Sequence, residues 1–221
     1  MTTRTSNLQD KLDEITANTR ELVQADRLAI GEKAVADLFA SGAEGRILKK
    51  GAKAPPFELP DYSGHMVRSR DLLALGPLVV TFFRGRWCPY CVTELEAWRE
   101  LYAEIRERGG LVVAISPQTV RQNDFTASQH SLPFPVLSDA GCAVAGSFGL
   151  AYHVPPFQQQ YYRSILVNVP FVNGDDTWRL PLPATLVLGQ DSTVLFSEVH
   201  ADFKVRPEPD EVLAALPLPQ R

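Results

Sequence analysis

The feature that most constrains the fold is a continuous apolar run that ends shortly before a pair of cysteines. Residues Leu78–Phe83 read LVVTFF, a pattern that predicts a strand buried on both faces. Cys88 and Cys91 follow, and apolar residues then recur every three or four positions from Pro89 to Arg108, which predicts a helix. The cysteine pair is therefore expected at the corner where a central strand ends and a helix begins.

The order of elements around this corner predicts an α/β fold. Leu111–Ser116 reads as a second buried strand and residues 134–139 as a third short one, with helical patterns between them. A β-α-β-α-β order implies parallel strands joined by right-handed crossovers. Ala184–Leu188 and Thr193–Val199 predict an antiparallel hairpin, and residues 208–216 predict a closing helix. We expect a central mixed β-sheet flanked by helices.

The residue pattern changes at Gly51 and divides the chain into an N-terminal helical extension, residues 1–50, and a main domain, residues 51–221. Two amphipathic patterns in the extension predict a helical pair, the second ending at the helix-capping sequence Ser41-Gly42. Their apolar residues are Leu8, Leu12, Ile15, Leu22, Leu28, Val35, Leu38 and Phe39. The favoured interpretation is that this pair packs on the main domain. The alternative is a dimerisation arm, which predicts a homodimer. Residues 152–180 look like an insertion to which no structure is assigned.

Charge and hydropathy narrow the function classes. The 221 residues include 22 Lys+Arg and 26 Asp+Glu, and this net charge of −4 without a basic block argues against a nucleic-acid partner. No apolar run approaches the roughly 20 residues that a membrane span needs. The N-terminus has no apolar core of a secretory signal, so we expect a cytoplasmic protein that does not bind membranes. In a reducing compartment, three cysteines are not expected to serve as structural disulfides.

The spacing of Cys88 and Cys91 favours redox chemistry. Free amides and the helix dipole at a helix start stabilise a thiolate, and Arg84 and Arg86 add positive charge. One thiol can then attack an external sulfur or a peroxide oxygen, and the other can close an internal disulfide. Zinc requires four ligands, and the histidines provide no second ligand pair, so no metal or other cofactor is expected. The histidines are His65, His130, His153 and His200.

These motifs resemble the peroxiredoxin-related AhpC/TSA, or redoxin, family of the thioredoxin superfamily. GAKAPPFELPDYSG (51–64) is similar to the family's opening hairpin, and LVVTFFRGRWCPYCVTEL (78–95) to its active-site strand and helix. VLSDAGCAVAGSFGL (136–150) is similar to a downstream segment, and LPATLVL (182–188) to the stretch that carries the cis-proline of thioredoxin-like folds. The resemblance covers residues 51–216 and implies a thioredoxin-like fold.

The resemblance leaves open which sulfur attacks a peroxide. Typical peroxiredoxins carry P-x-x-x-T-x-x-C, which puts Cys91 at the peroxidatic position, Cys88 in place of the threonine and Arg84 in place of the proline. In the thioredoxin pattern Cys88 is instead the exposed nucleophile and Cys91 its buried partner. We expect Cys88 to attack in disulfide exchange, and the two patterns give opposite assignments for peroxide.

The same resemblance implies further site residues. Pro183 is the candidate cis-proline that contacts substrate, and Trp87 is expected to shield the site and present a docking surface. Arg84 or Arg179 is the candidate arginine near the thiolate. Cys142 is expected to be a packing residue rather than a distant resolving thiol, because Cys88 and Cys91 already form a pair.

The predicted function is a thiol-dependent peroxidase that reduces hydroperoxides and is recycled by a thioredoxin- or glutaredoxin-type donor. The alternative is a dithiol-disulfide oxidoreductase that acts on protein or glutathione disulfides. It is favoured by the Cys-Pro-Tyr-Cys sequence, typical of glutaredoxins, and by the missing threonine. A third interpretation is a redox-sensing module in which oxidation changes an interaction surface.

Overall fold

The computed structural model describes residues 7–217. Its helices are α1 (Leu8–Leu22), α2 (Ala25–Ala40), α3 (Ser69–Leu75), α4 (Pro89–Glu107), α5 (Val120–Gln129), α6 (Ala143–Ser147), α7 (Pro156–Ser164), α8 (Val169–Asn173) and α9 (Pro209–Ala215). Its strands are β1 (Glu58–Pro60), β2 (Met66–Arg68), β3 (Leu78–Phe82), β4 (Leu111–Ser116), β5 (Val136–Ser138), β6 (Ala151–His153), β7 (Arg179–Pro181), β8 (Ala184–Leu188) and β9 (Val194–Val199). Within this part of the chain no helix combines the length and apolarity needed to cross a membrane.

The central sheet has five strands in the order β5-β4-β3-β8-β9. β3, β4 and β5 run parallel, whereas β8 is antiparallel to β3 and β9 is antiparallel to β8. The predicted mixed sheet flanked by helices is confirmed, including the parallel core and the C-terminal hairpin. The predicted ends of two strands differ by one residue each: the central strand ends at Phe82, and the last strand begins at Val194.

The apolar run in β3 is buried because helices cover both faces of the sheet. Leu78, Val80 and Phe82 point to one apolar cluster, which also holds residues from α3, α6 and α7. Val79 points to a second cluster on the opposite face, which is built largely by α1, α4 and α9. A strand buried on both faces favours apolar residues at successive positions, which is why this stretch lacks alternation, with Thr81 as its one polar residue.

The first helix lies against the main domain. Leu8 and Leu12 are buried in the same cluster as Cys88, Cys91 and the α4 residue Trp98. The apolar stripe of α1 packs against the main domain only in the first half of the helix. Leu22, at the end of the helix, is 85% exposed. A homodimer stays a prediction.

The segment that the sequence left unassigned, residues 152–180, contains regular structure. β6 and β7 pair antiparallel, and α7 and α8 lie between them in the chain. Each strand is only three residues long and α7 only nine, so these elements span too few residues for a period to be read from the sequence. Pairing between residues about thirty positions apart, rather than a local pattern, forms this unit.

The expectation of a cis bond before Pro183 is wrong. Residues 7–217 contain no cis peptide bond. Pro183 is buried in the short link between β7 and β8, and the preceding Leu182 donates its backbone N–H to the carbonyl of Leu150. The peptide bond before Pro183 is therefore trans where the chain passes from the β6-β7 sheet to the central sheet.

The buried half of α1 gives a test of how far this helix is part of the fold. Leu12→Ala is expected to lower the free energy of unfolding by about 2–5 kcal/mol, because it leaves a cavity in the cluster that holds both cysteines. Leu22→Ala is the control in the same helix and should change it by less than about 0.5 kcal/mol, because that side chain is exposed. Urea unfolding measures both, and equal effects would show that α1 is not docked.

Candidate active site

The cysteine pair lies at the predicted strand-to-helix corner. Cys88 is the N-cap of α4 in an extended conformation, Pro89 occupies the first turn and Cys91 follows within that turn. Both side chains are free thiols and both are buried, with exposed fractions of 1% for Cys88 and 0% for Cys91. The pair is therefore close to the helix-start amides and almost closed off from water.

The guanidinium of Arg84 lies directly against the first sulfur. Arg84 follows β3, is buried, and donates a hydrogen bond from Nη2 to Cys88 Sγ at 3.2 Å. Its Nη1 donates to the Tyr162 hydroxyl at 3.3 Å, and its carbon Cζ lies 3.8 Å from the centre of the Phe203 ring and 5.0 Å from the Trp87 ring. Aromatic faces attract a cation and exclude water, so this charge is fixed at the sulfur.

A second buried arginine approaches the other sulfur. Arg206 comes from the segment between β9 and α9, and its Nη2 donates to Cys91 Sγ at 3.5 Å. Its Nη1 forms an ion pair with Glu94, which projects from α4 and also accepts a hydrogen bond from the Thr185 hydroxyl at 3.0 Å. Burial raises the pKa of Glu94, and the charge of Arg206 opposes that rise.

These surroundings give the two thiols opposite ionisation. Burial by itself would raise the pKa of Cys88, but a hydrogen bond from Cys91 and the charges of Arg84 and Arg206 outweigh it and lower that pKa well below the usual value. Burial raises the pKa of Cys91 well above its usual value, and its hydrogen bond to Cys88 adds to the rise. The arrangement can hold a Cys88 thiolate next to a Cys91 thiol.

Of the arginines considered from the sequence, the structure brings Arg84 to the pair. Arg179 is exposed on β7; burial raises the pKa of Asp139, and the charge of Arg179 opposes that rise. Arg206 was missed because it stands in the proline-flanked stretch Val205-Arg206-Pro207, which shows no period. Glu94 was also missed. A charged residue on the apolar face of α4, three positions after Cys91, indicates a buried carboxylate near the pair and could have been noticed.

The other sequence candidates are Trp87, Pro183 and Cys142, and the structure places each in different surroundings. Trp87 is half-buried with its ring 5.1 Å from that of Tyr162. Gly85 lets the indole pack there, because a Cβ at this position (φ +150°) would lie 2.5 Å from Trp87 Nε1. Pro183 directly precedes β8, the strand of Thr185. Cys142 is buried in an apolar cluster and burial raises its pKa, as expected for a packing residue.

Comparison with known proteins agrees with this geometry. A model of the AhpC/TSA family matches residues 50–197. A putative peroxiredoxin of Mycobacterium tuberculosis is 36% identical over 103 residues, which cover 47% of this chain and 67% of that protein. The thiol-disulfide oxidoreductase ResA of Bacillus anthracis is 31% identical over 102 residues, which cover 45% of this chain and 57% of ResA. The crystal structure of peroxidoxin BcpB from Mycobacterium tuberculosis superposes with a TM-score of 0.60 and 27% identity, covering 76% of this chain and 96% of that one.

The family match extends over more than half of the chain, and it includes β3, α4 and both cysteines. The chain therefore belongs to the AhpC/TSA family, and its fold is thioredoxin-like. Within that family it is a peroxiredoxin-like oxidoreductase, which confirms the family expected from the sequence.

The contact between Arg84 and Cys88 can be tested on the thiol itself. Arg84→Met should raise the pKa of Cys88 by about 1–3 units, because the opposite charge within hydrogen-bond distance is lost. The pH at which alkylation by iodoacetamide reaches half its maximal rate then moves upward. Arg86→Met is the matched control, since the Arg86 side chain instead bonds to Gln122 and lies over the Phe125 ring. An identical pH profile for Arg84→Met and wild type would contradict the assignment.

Proposed function

We propose that this protein is a thiol peroxidase in which Cys88 attacks the hydroperoxide and Cys91 resolves the product. The observation that carries the proposal is the Arg84 guanidinium 3.2 Å from Cys88 Sγ, in a site that lowers the pKa of Cys88 while burial raises the pKa of Cys91. The similarity to a putative peroxiredoxin and to a peroxidoxin structure supports the same reaction class.

The reaction balances with the groups at the site. The Cys88 thiolate attacks the outer oxygen of the hydroperoxide, the O–O bond breaks, and the leaving alkoxide or hydroxide takes a proton to give an alcohol or water. Cys88 is then a sulfenic acid. The Cys91 sulfur attacks the Cys88 sulfur, water leaves, and a Cys88–Cys91 disulfide remains. Arg84 favours the first step because it stabilises the thiolate, and its fixed charge faces the oxygen on which negative charge develops.

Attack by Cys88 departs from the alignment with the typical peroxiredoxin motif, which puts Cys91 in the peroxidatic position. The pKa shifts support Cys88 as the attacking residue, since the thiolate is the nucleophile and burial raises the pKa of Cys91. Arg84 also explains how the site works without the motif's proline and threonine. The guanidinium that stands at the proline position donates to the sulfur that stands at the threonine position.

Recycling of the disulfide requires an external thiol reductant, and a thioredoxin- or glutaredoxin-type dithiol protein is the proposed donor. A donor thiolate attacks one sulfur of the Cys88–Cys91 disulfide, and its second thiol releases the reduced pair. A cytoplasmic location belongs to the same proposal, because such donors are kept reduced in that compartment.

The second candidate function is dithiol-disulfide exchange. The similarity to ResA and the helix-start position of Cys88 favour it. Burial opposes it for protein substrates, because a disulfide in a folded partner must bring a sulfur into contact with Cys88, which is 1% exposed. A hydroperoxide is small enough to reach such a sulfur with less rearrangement, so peroxide reduction is the primary proposal.

Serine variants assign the two sulfurs. Cys88→Ser should abolish the rapid first reaction with hydrogen peroxide, because the attacking thiolate is lost. Cys91→Ser should keep that reaction but stop after one equivalent, since the sulfenic acid has no partner thiol. Stopped-flow peroxide consumption, with intact mass to detect one added oxygen, measures both effects. Cys142→Ala is the control and should behave as wild type.

Two results would change the proposal. Loss of the first reaction in Cys91→Ser alone would make Cys91 the attacking thiol, as in the typical motif. If wild-type protein reacts slowly with hydrogen peroxide but rapidly with glutathione disulfide, the protein is a dithiol-disulfide oxidoreductase.

A further inference from the structure

Two parts of the chain outside the family match meet at the active site. The match covers residues 50–197, whereas α1 precedes it and the segment Phe203–Glu208, here called the C-terminal segment, follows it. The C-terminal segment supplies Arg206 to Cys91 and the Phe203 ring to Arg84. Family residues alone therefore do not complete the surroundings of the two sulfurs.

The C-terminal segment has little regular structure of its own to hold it. It lies between β9 and α9, and the guanidinium of Arg206 folds back to the carbonyl of Phe203, with Nη2 donating at 2.8 Å. A segment of this kind needs outside contacts to keep a long side chain in one place, because holding an arginine in one conformation costs side-chain entropy.

The first turn of α1 provides such a contact through Glu208. The backbone N–H groups of Leu8 and Gln9 donate to the two carboxylate oxygens of Glu208, at 3.0 Å and 2.8 Å. These amides have no partner inside their own helix, and the helix dipole favours a negative charge at this end. Glu208 thus joins the start of α1 to the end of the C-terminal segment.

The side chain of Gln9 makes a second contact with the same segment. Its Nε2 donates to the carbonyl of Lys204 at 3.3 Å, and its Oε1 accepts the backbone N–H of Arg206 at 3.4 Å. The residue that carries the guanidinium is therefore bonded directly to α1.

We propose that Glu208 and Gln9 are positioning residues that tie α1 to the C-terminal segment and so hold the Arg206 guanidinium at the Cys91 sulfur. The inference rests on the proposed function only in taking Cys91 as the second thiol to react. When Cys91 attacks, its thiolate has to form in a buried site, and the nearby positive charge of Arg206 stabilises it there.

The charged and titratable groups that face Cys91 come from several elements, and a change in any of them would alter its ionisation. They are Arg84 after β3, Cys88 and Glu94 on α4, Tyr152 on β6, Tyr162 on α7, and Arg206. In the proposal Glu208 and Gln9 act on Cys91 through Arg206, so their effect is expected to disappear when the arginine is absent.

The symmetric aromatic disulfide 5,5′-dithiobis(2-nitrobenzoate) allows the reaction of the second thiol to be measured without peroxide. The Cys88 thiolate attacks one sulfur of the reagent and releases one thionitrobenzoate. The Cys91 thiolate then attacks the Cys88 sulfur of the mixed disulfide and releases the second. The rate of this second release against pH follows the ionisation of Cys91.

Glu208→Ala and Gln9→Ala should each slow the second release at neutral pH and move its midpoint to higher pH. The expected change is about threefold, which a pKa rise of about half a unit produces. Glu211→Ala is the matched control, because Glu211 accepts a hydrogen bond from the Glu208 backbone in the first turn of α9 but makes no bond to α1. This control should match wild type.

A double variant that lacks the buried ion pair distinguishes a positioning role from a general loss of stability. Arg206→Met together with Glu94→Gln removes the buried ion pair as a whole, and adding Glu208→Ala to it should change the second release no further. A further slowing there, or wild-type rates for both Glu208→Ala and Gln9→Ala, would overturn the inference. Thermal melting verifies that each variant is folded. Failure of the proposed peroxidase activity would appear separately, as slow peroxide consumption by wild type with both thionitrobenzoate releases intact.

Discussion

Two buried guanidinium groups, one beside each sulfur, are the constraint on which the rest of this structure depends. A buried charge is costly unless it is paired, and removing one partner of a buried ion pair costs about 3–5 kcal/mol. Arg206 is paired with Glu94, and Arg84 is held between aromatic rings against Cys88. The helices, the aromatic residues and the C-terminal segment pack around the pair and hold both guanidinium groups in place.

The site combines features of two active-site types. The corner between β3 and α4 places Cys88 at a helix start, as in thioredoxin-like dithiol proteins, while the family match and the similar protein of Mycobacterium tuberculosis are of peroxiredoxin type. In the proposed reaction Arg84 links the two types, because the Cys91 hydrogen bond and the Arg84 guanidinium together lower the pKa of Cys88, and the same guanidinium supplies positive charge for the peroxide oxygen that becomes negative.

Two segments outside the family match, α1 and the C-terminal segment, contribute to the surroundings of the site. α1 shares an apolar cluster with both cysteines and binds the C-terminal segment, which carries Arg206 and Phe203. Such additions act on reactivity through electrostatics, since a charge a few ångströms from a buried sulfur changes its ionisation more than a distant one in water. Different extensions on one core can therefore give different thiol chemistry.

The sequence by itself determined the central sheet, the corner and the pair, because these depend on local patterns: the apolar run of β3, the period of α4 and the spacing of Cys88 and Cys91. It also indicated Arg84, four residues before Cys88. Only the tertiary structure decided that Arg206 reaches Cys91 while Arg179 stays exposed, that Pro183 is trans, and that β6 pairs with β7. These outcomes depend on contacts between residues far apart in the chain, for which no local period exists. They follow from the need to pair buried charges and backbone groups once the chain is folded.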